Sequence, residues 1–276
     1  MEEKLSEDFA ALIGIDWADC SHAVCMLDVK SNRIDSITVE QKPEALVDWV
    51  NQLRSRFAGR KIAVAIEQSK GPLIYFLMRY EFVVLYPVNP KALSRYRDAL
   101  RCSGAKDDPT DAEMLLSFLR AHGGRLRAWV PEDEISRHLG MLVEFRRKLV
   151  GDARRITNRL GAILKGYYPQ ALECLADLKT LMACEFLTKW PSLSALKKAK
   201  PAQLRKFYRG RHHSTEFIEE RIAAIRKSSH LTEDPAIVAA SAKMAQALAK
   251  PLRELIESIK EFDREIEKVF QSHPDR

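Results

Sequence analysis

Four carboxylates carry the most chemistry in this sequence: Asp16, Glu67, Asp108 and Asp111. Asp16 closes an apolar run, AALIGID, and Glu67 closes a second, IAVAIE. A carboxylate that follows a β-branched run tends to emerge at the carboxyl end of its strand, where α/β sheets gather their ligands. Two such acids on neighbouring strands can converge although 51 positions separate them. Left alone they would repel, and each would favour its protonated form. A bound divalent cation removes that penalty. Asp108 and Asp111 are three apart at the expected start of a helix, so they can share a face. The same stretch also reads as a helix cap, with Asp108 as N-cap, Pro109 at the first helical position and Asp111 in the first turn. The two roles can coexist. Oxygen-only donors without an accompanying cysteine point to Mg²⁺ or Mn²⁺. Two such ions can activate an attacking oxygen and stabilise a leaving one in phosphodiester cleavage. Lys106, two residues before Asp108, is placed to steady a phosphate or stands as an exposed loop lysine.

The elements that must position these acids follow from periodicity. Residues 10–16 read as a buried strand, and HAVCMLDV and RIDSITVEQ as two more, joined by a turn at Ser31-Asn32. Residues 43–57 begin with Pro43 and show apolar groups at helical spacing. IAVAIEQ suits a buried parallel strand. A helix is expected over 72–80, a strand over 82–90, a helix over 91–101 and another over 109–121. Three early strands followed by alternating helix and strand form the order of an α/β, RNase H-like (RuvC-like) mixed sheet domain. Its expected span is 9–129. From 130 to 276 the strand signal stops, and an all-α region with coiled-coil character is expected. Ile135, Leu139, Leu142, Arg146, Leu149, Ala153, Ile156, Leu160 and Ile163 step by four and three, as a heptad seam does. A second seam runs from Ala245 through Leu248, Leu252, Leu255, Ile259, Phe262 and Ile266 to Val269, with Pro251 expected to kink or restart its helix. An intramolecular helical hairpin and a dimerising coiled coil account equally for the two seams.

Charge separates the same two regions. The chain of 276 residues has a net charge of +7. Residues 1–120 hold 16 Lys/Arg against 18 Asp/Glu, whereas residues 141–211 hold 16 against 5. Chemistry in the first part and polyanion binding in the second is the natural division. Arg146, Arg147, Arg154, Arg155, Arg159 and Lys165 lie on the first long helix and can follow a phosphate backbone. A second cluster runs from Lys197 to Arg211, where Phe207 and Tyr208 either stack on bases or pack in a core. No run of about 18 uncharged apolar residues occurs, so no membrane helix is expected. Five cysteines without a CxxC pair argue for a reducing cytosol and against a disulfide framework or a zinc site.

The carboxylate stretches resemble those of the insertion-sequence-110 family of DEDD transposases, which are guided by a structured RNA. GIDWA (14–18) matches the family's first aspartate motif, AIEQSKG (65–71) is similar to its glutamate motif, and VNP (88–90) to a short strand-end motif. KDDPTDA (106–112) matches the last acidic pattern, with Asp107 where a small hydroxyl residue is usual. The aromatic usual after the glycine of the second motif is replaced around Pro72-Leu73. The resemblance implies a DNA transposase or recombinase whose Mg²⁺ or Mn²⁺ is held by Asp16, Glu67, Asp108 and Asp111. It also implies contacts with DNA and guide RNA, and homo-oligomers formed through the coiled-coil helices in a prokaryotic cytoplasm. Members carry a further C-terminal domain with a catalytic serine, and this sequence reaches its last residue about where that domain would open. No serine nucleophile is therefore expected here, and Ser69 is read as a loop hydrogen-bonder. Two other classes compete. The basic helices alone would suit a non-catalytic RNA- or DNA-binding scaffold. GIDWADCSHAVCMLD also resembles the first phosphate-binding strand of actin-like kinases and ATPases, although no later glycine-rich loop could cradle phosphates.

Overall fold

The computed structural model describes residues 8–101, 110–211 and 214–274, with backbone only at 100 and 101. Lys106 and Asp108 lie outside the described residues. The chain divides into two compact units at Pro131/Glu132.

In the first unit a five-stranded sheet has the order β3-β2-β1-β4-β5. Strand β1 (Ala11–Asp16) pairs antiparallel with β2 (Ser21–Asp28), which pairs antiparallel with β3 (Arg33–Glu40). On its other side β1 runs parallel to β4 (Ile62–Ile66), and β4 runs parallel to β5 (Val83–Pro87). The turn after β2 closes at Asn32, whose φ of 53° is one that asparagine tolerates better than most residues. Asp28 Oδ1 accepts hydrogen bonds from the amides of Lys30 and Ser31 in the same turn.

The two faces of the sheet are built from side chains of different size. Successive strand residues point to opposite faces. Ile13, Ile15, Ile62, Val64 and Ile66 form a bulky face that packs with Leu46, Trp49, Val50 and Leu53 of α1 (Pro43–Arg56) and with Leu73, Ile74 and Leu77 of α2 (Pro72–Leu77). The opposite face presents Gly14, Ala63 and Ala65, and α4 (Asp111–His122) lies there through Ala112, Leu115, Leu116 and Leu119. A methyl group on Gly14 would stand 2.1 Å from the carbonyl oxygen of Ala112 and 2.5 Å from the amide nitrogen of Leu116. The helix backbone therefore rests on the strand itself, which only glycine allows.

Helix α3 (Pro90–Arg101) begins as the VNP stretch dictates: Asn89 Oδ1 accepts from Lys91 N at 2.8 Å, and Pro90 sets the first helical φ. Tyr96 ties α3 to α4 through a 3.0 Å hydrogen bond with Ser117 and an edge-on contact with Phe118.

The second unit is helical. Its two long helices, α5 (Glu134–Tyr167) and α11 (Pro235–Gln271), pair antiparallel: Ser136 meets His273, and Arg146 meets Asp263. The two heptad seams thus face one another within a single chain. Five shorter helices, α6 (Gln170–Cys174), α7 (Leu181–Lys189), α8 (Leu193–Lys198), α9 (Pro201–Arg209) and α10 (Thr215–Lys227), complete this unit. Its core includes Leu160, Leu164, Tyr168, Phe186, Leu187, Tyr208, Leu248 and Leu252. Pro251 does not end α11, which runs unbroken from Pro235 to Gln271. Leu248 and Leu252 are buried on either side of it, so packing offsets the lost backbone hydrogen bond.

Candidate active site

Asp16 and Glu67 continue the small-residue face of the sheet. Along β1 that face runs Leu12, Gly14, Asp16, and along β4 it runs Ala63, Ala65, Glu67. The parallel register Ile15 to Ile66 carries both carboxylates to the same end of adjacent strands. The first turn of α4 begins at Asp111, on the helix that Gly14 admits to this face. Strand alternation and one glycine thus bring three of the four expected acids to one end of the sheet.

Their electrostatics record that proximity. Burial, and then the Asp111 carboxylate, push the pKa of Asp16 above its ordinary value, against the pull of Arg97 and His22. Burial does the same at Glu67, followed by the charges of Asp111 and Asp16, again opposed by Arg97. Burial leads at both groups, and the neighbouring carboxylates add to the cost of ionising them. The positive charge present is Arg97 of α3, whose guanidinium is ion-paired with Asp111. Sequence reasoning missed Arg97. The available signal was VNP, which starts the helix carrying this residue two turns further on.

Among the described residues no group of three histidine, cysteine, aspartate or glutamate side chains is gathered closely enough to hold a metal ion. The residues nevertheless suit a hard divalent cation in donor type and in charge. All are carboxylate oxygens, two are held partly out of water, and the cluster already recruits a cation from its own chain.

Residues 13–169 match the family model of the DEDD transposases of the IS110 type. This chain belongs to that family. A Sinorhizobium fredii protein named as a transposase, y4uE, is 31% identical over 64% of this chain and 50% of its own length. The Streptomyces coelicolor protein named as the mini-circle transposase for IS117 is 28% identical over 98% of this chain and 67% of its own length. An uncharacterised 43.6 kDa protein of insertion element IS110, also from Streptomyces coelicolor, is 25% identical over 70% of this chain and 48% of its own length. The chain therefore spans 48% to 67% of the length of these relatives.

In this IS110-type chain the cap of α4 differs from the sequence expectation. Thr110, not Asp108, is the N-cap: its side chain accepts from Glu113 N at 3.3 Å, and Glu113 Oε2 accepts from Thr110 N at 2.8 Å. A threonine hydroxyl followed three residues later by glutamate forms the reciprocal capping box, and Asp111 occupies the first helical position. Thr110→Ala is expected to cost about 1 kcal/mol in urea unfolding. An unchanged midpoint would show that the box does not anchor the first turn.

His22 of β2 is buried near Asp16. Its Nδ1 accepts from Ala18 N at 3.4 Å and its Nε2 faces Gln41 Oε1 at 2.5 Å. It thereby braces the turn that follows Asp16.

The expected nucleic-acid residues of α5 fall into two groups. Arg146 bonds Asp263 across the hairpin, while Arg147 pairs with Glu144 and Arg155 with Asp152 on the same helix. Arg154, Arg159 and Lys165 are exposed and have no acidic partner among the described residues. In the second cluster Arg205 pairs with Glu219 and Arg211 with Glu185. Phe207 and Tyr208 are buried in the core of the unit, so core packing, not base stacking, explains them. No helix among the described residues is long and apolar enough to cross a membrane.

Proposed function

We propose that this chain is the metal-dependent nuclease portion of a DNA transposase, with an RNase H-like (RuvC-like) domain over 9–129 and a helical region over 130–276 that binds nucleic acid and oligomerises. The observation carrying this reading is that Asp16 and Glu67 leave the same end of β1 and β4, on the face where Gly14 admits α4, whose first residue is Asp111. The sheet order, with β2 antiparallel beside a parallel β1-β4-β5 core, supports the RNase H-like assignment.

Asp16, Glu67, Asp111 and Asp108 would hold Mg²⁺ or Mn²⁺. Such an ion lowers the pKa of an attacking oxygen and offsets charge on the leaving one. The β1 and β4 carboxylates have a fixed register, so the chain supplies orientation at no cost during the reaction. The function of the full-length protein then includes strand cleavage and transfer in the cytoplasm, guided by a structured RNA whose pairing selects the target. Homo-oligomers are expected to use the α5–α11 hairpin, on which Met141, Val143, Phe145 and Val150 remain exposed.

Calorimetric titration with Mn²⁺ tests the central reading. Asp16→Ala and Glu67→Ala are each expected to remove binding seen in the unsubstituted chain, and unchanged binding in both would end the metal-site proposal. The nucleic-acid part has a separate test. Arg154→Ala with Lys165→Ala should make the log–log salt slope of duplex DNA binding shallower by about two, roughly 0.9 per phosphate contact. Arg147→Ala, which removes a side chain already paired to Glu144, should change it less.

A further inference from the structure

Arg97 occupies an unusual position for a guanidinium. It extends from α3 to the first turn of α4, where its guanidinium is ion-paired with Asp111. Only about a third of its side chain is exposed, and its Nε is buried without a hydrogen-bond partner in the structure. A buried, unmatched N–H costs about 1–3 kcal/mol. Such a donor is completed by water, an ion or a ligand, or marks a site with more than one state. The Tyr96–Ser117 bond and the Phe118 contact on the preceding residue hold this turn of α3 against α4, so Arg97 stays within reach of the cluster when its side chain moves.

We propose that Arg97 is the resident counter-cation of the metal-free site, exchanged by divalent metal and then used as a phosphate ligand. This rests on the metal-site reading above. A guanidinium bonded to Asp111 and a divalent cation held by the same carboxylate repel each other, so each weakens the other's hold on Asp111. Once released from Asp111, Arg97 presents a planar fork of N–H donors beside the reacting end of the sheet. A phosphodiester accepts such a fork through two oxygens, as a carboxylate does. The exchange makes metal and substrate arrive together: without metal the arginine is committed to Asp111, and with metal it is available to the nucleic acid.

The experiment uses the whole chain, titrated calorimetrically with MnCl₂ in the absence of nucleic acid. Arg97→Gln should bind Mn²⁺ about fivefold more tightly than the unsubstituted chain, the effect of deleting one partly exposed ion pair. Arg97→Lys, which keeps the charge, should bind it close to the unsubstituted level, and both variants should keep the far-ultraviolet dichroism of the parent. With Mn²⁺ present, the log–log salt slope for a short DNA duplex should be shallower by about one in Arg97→Gln, and without Mn²⁺ it should be unchanged. Equal Mn²⁺ affinity in the unsubstituted chain and Arg97→Gln would overturn the exchange and leave the metal site standing. An unaltered slope in Mn²⁺ would overturn the phosphate role. Absence of Mn²⁺ binding in the unsubstituted chain would remove the metal-site reading and the exchange together.

Discussion

Asp16→Asn is expected to weaken Mn²⁺ binding by more than about 100-fold, because losing merely the hydrogen-bond partner of a metal ligand already costs about 10–100-fold. The same substitution should make the metal-free chain more stable near neutral pH. Asp16 and Glu67 titrate above their ordinary values of 3.8 and 4.5 in the folded chain. Between the ordinary and the raised value, the folded state binds more protons than the unfolded state. Stability therefore falls as pH rises through that window, and the loss is complete above the folded pKa. Both groups are partly in contact with water, so screening keeps the gain from Asp16→Asn to about 0.5 kcal/mol. Urea unfolding from pH 3 to pH 8, with and without Mn²⁺, gives the readout. Relative to Asp16→Asn, the parent should lose stability as pH rises through the window and regain it with Mn²⁺, whereas Asp16→Asn should respond little to metal. Asp28, Asp133, Glu185 and Glu219 titrate below their ordinary values and add stability as pH rises, so the parent is compared with the variant; a difference that does not change through the window would refute the cluster electrostatics.

Gly14→Val should give the largest stability effect. The first atom of any side chain there meets the backbone of α4 at Ala112 and Leu116, and backbone cannot turn aside as a side chain can. Overpacking of this kind costs about 1–3 kcal/mol and more where nothing yields, so a loss of about 3 kcal/mol is expected in urea unfolding. Metal affinity should fall as well, because α4 carries Asp111 and must move away from β1 while Asp16 and Glu67 keep their register. Gly140→Ala is the contrasting case. Gly140 lies inside α5, and a methyl group there meets nothing within 4 Å. That substitution should stabilise the chain by about 0.5–1 kcal/mol through helix propensity. If Gly14→Val were tolerated as well as Gly140→Ala, α4 would not be seated on β1 as described.

Strand-end placement of Asp16 and Glu67 was legible from local sequence because it follows from two short-range facts: β-branched runs form buried strands, and a charge can stand only at their ends. The helices of 43–57 and 135–163 were equally legible, since a sustained apolar period is a local property. The size alternation in the same strands was present but unread. Gly14 between Ile13 and Ile15, and Ala63 and Ala65 among Ile62, Val64 and Ile66, mark the face on which a helix backbone comes close. Because side chains alternate along a strand, Asp16 and Glu67 fall on that small-residue face by residue parity alone.

Other features depended on which elements meet. The sequence reading puts the cap of α4 at Asp108, although Thr110, two residues on, is an equally good N-cap by type. The reciprocal bond from Glu113 decides for Thr110. The two heptad seams could have served two chains or one. Within the chain, Arg146 finds Asp263 and Ser136 finds His273 across an antiparallel pair, a match between residues more than 110 positions apart. Phe207, beside basic residues, suits a base or a core by type, with the core reading ahead, and the packing of Phe186 and Trp190 against it bears out the core.

Of the four acids, residue type and strand order by themselves determined that Asp16 and Glu67 end neighbouring strands with a demand for positive charge. Only the tertiary structure decided what stands opposite them. It seated α4 on Gly14, so that Asp111 joins the pair, and it placed Arg97 from α3 among the three acids. The reason is physical: a strand's carboxyl end is set by the chain's own periodicity, whereas the charge that answers it comes from a helix whose approach is governed by packing.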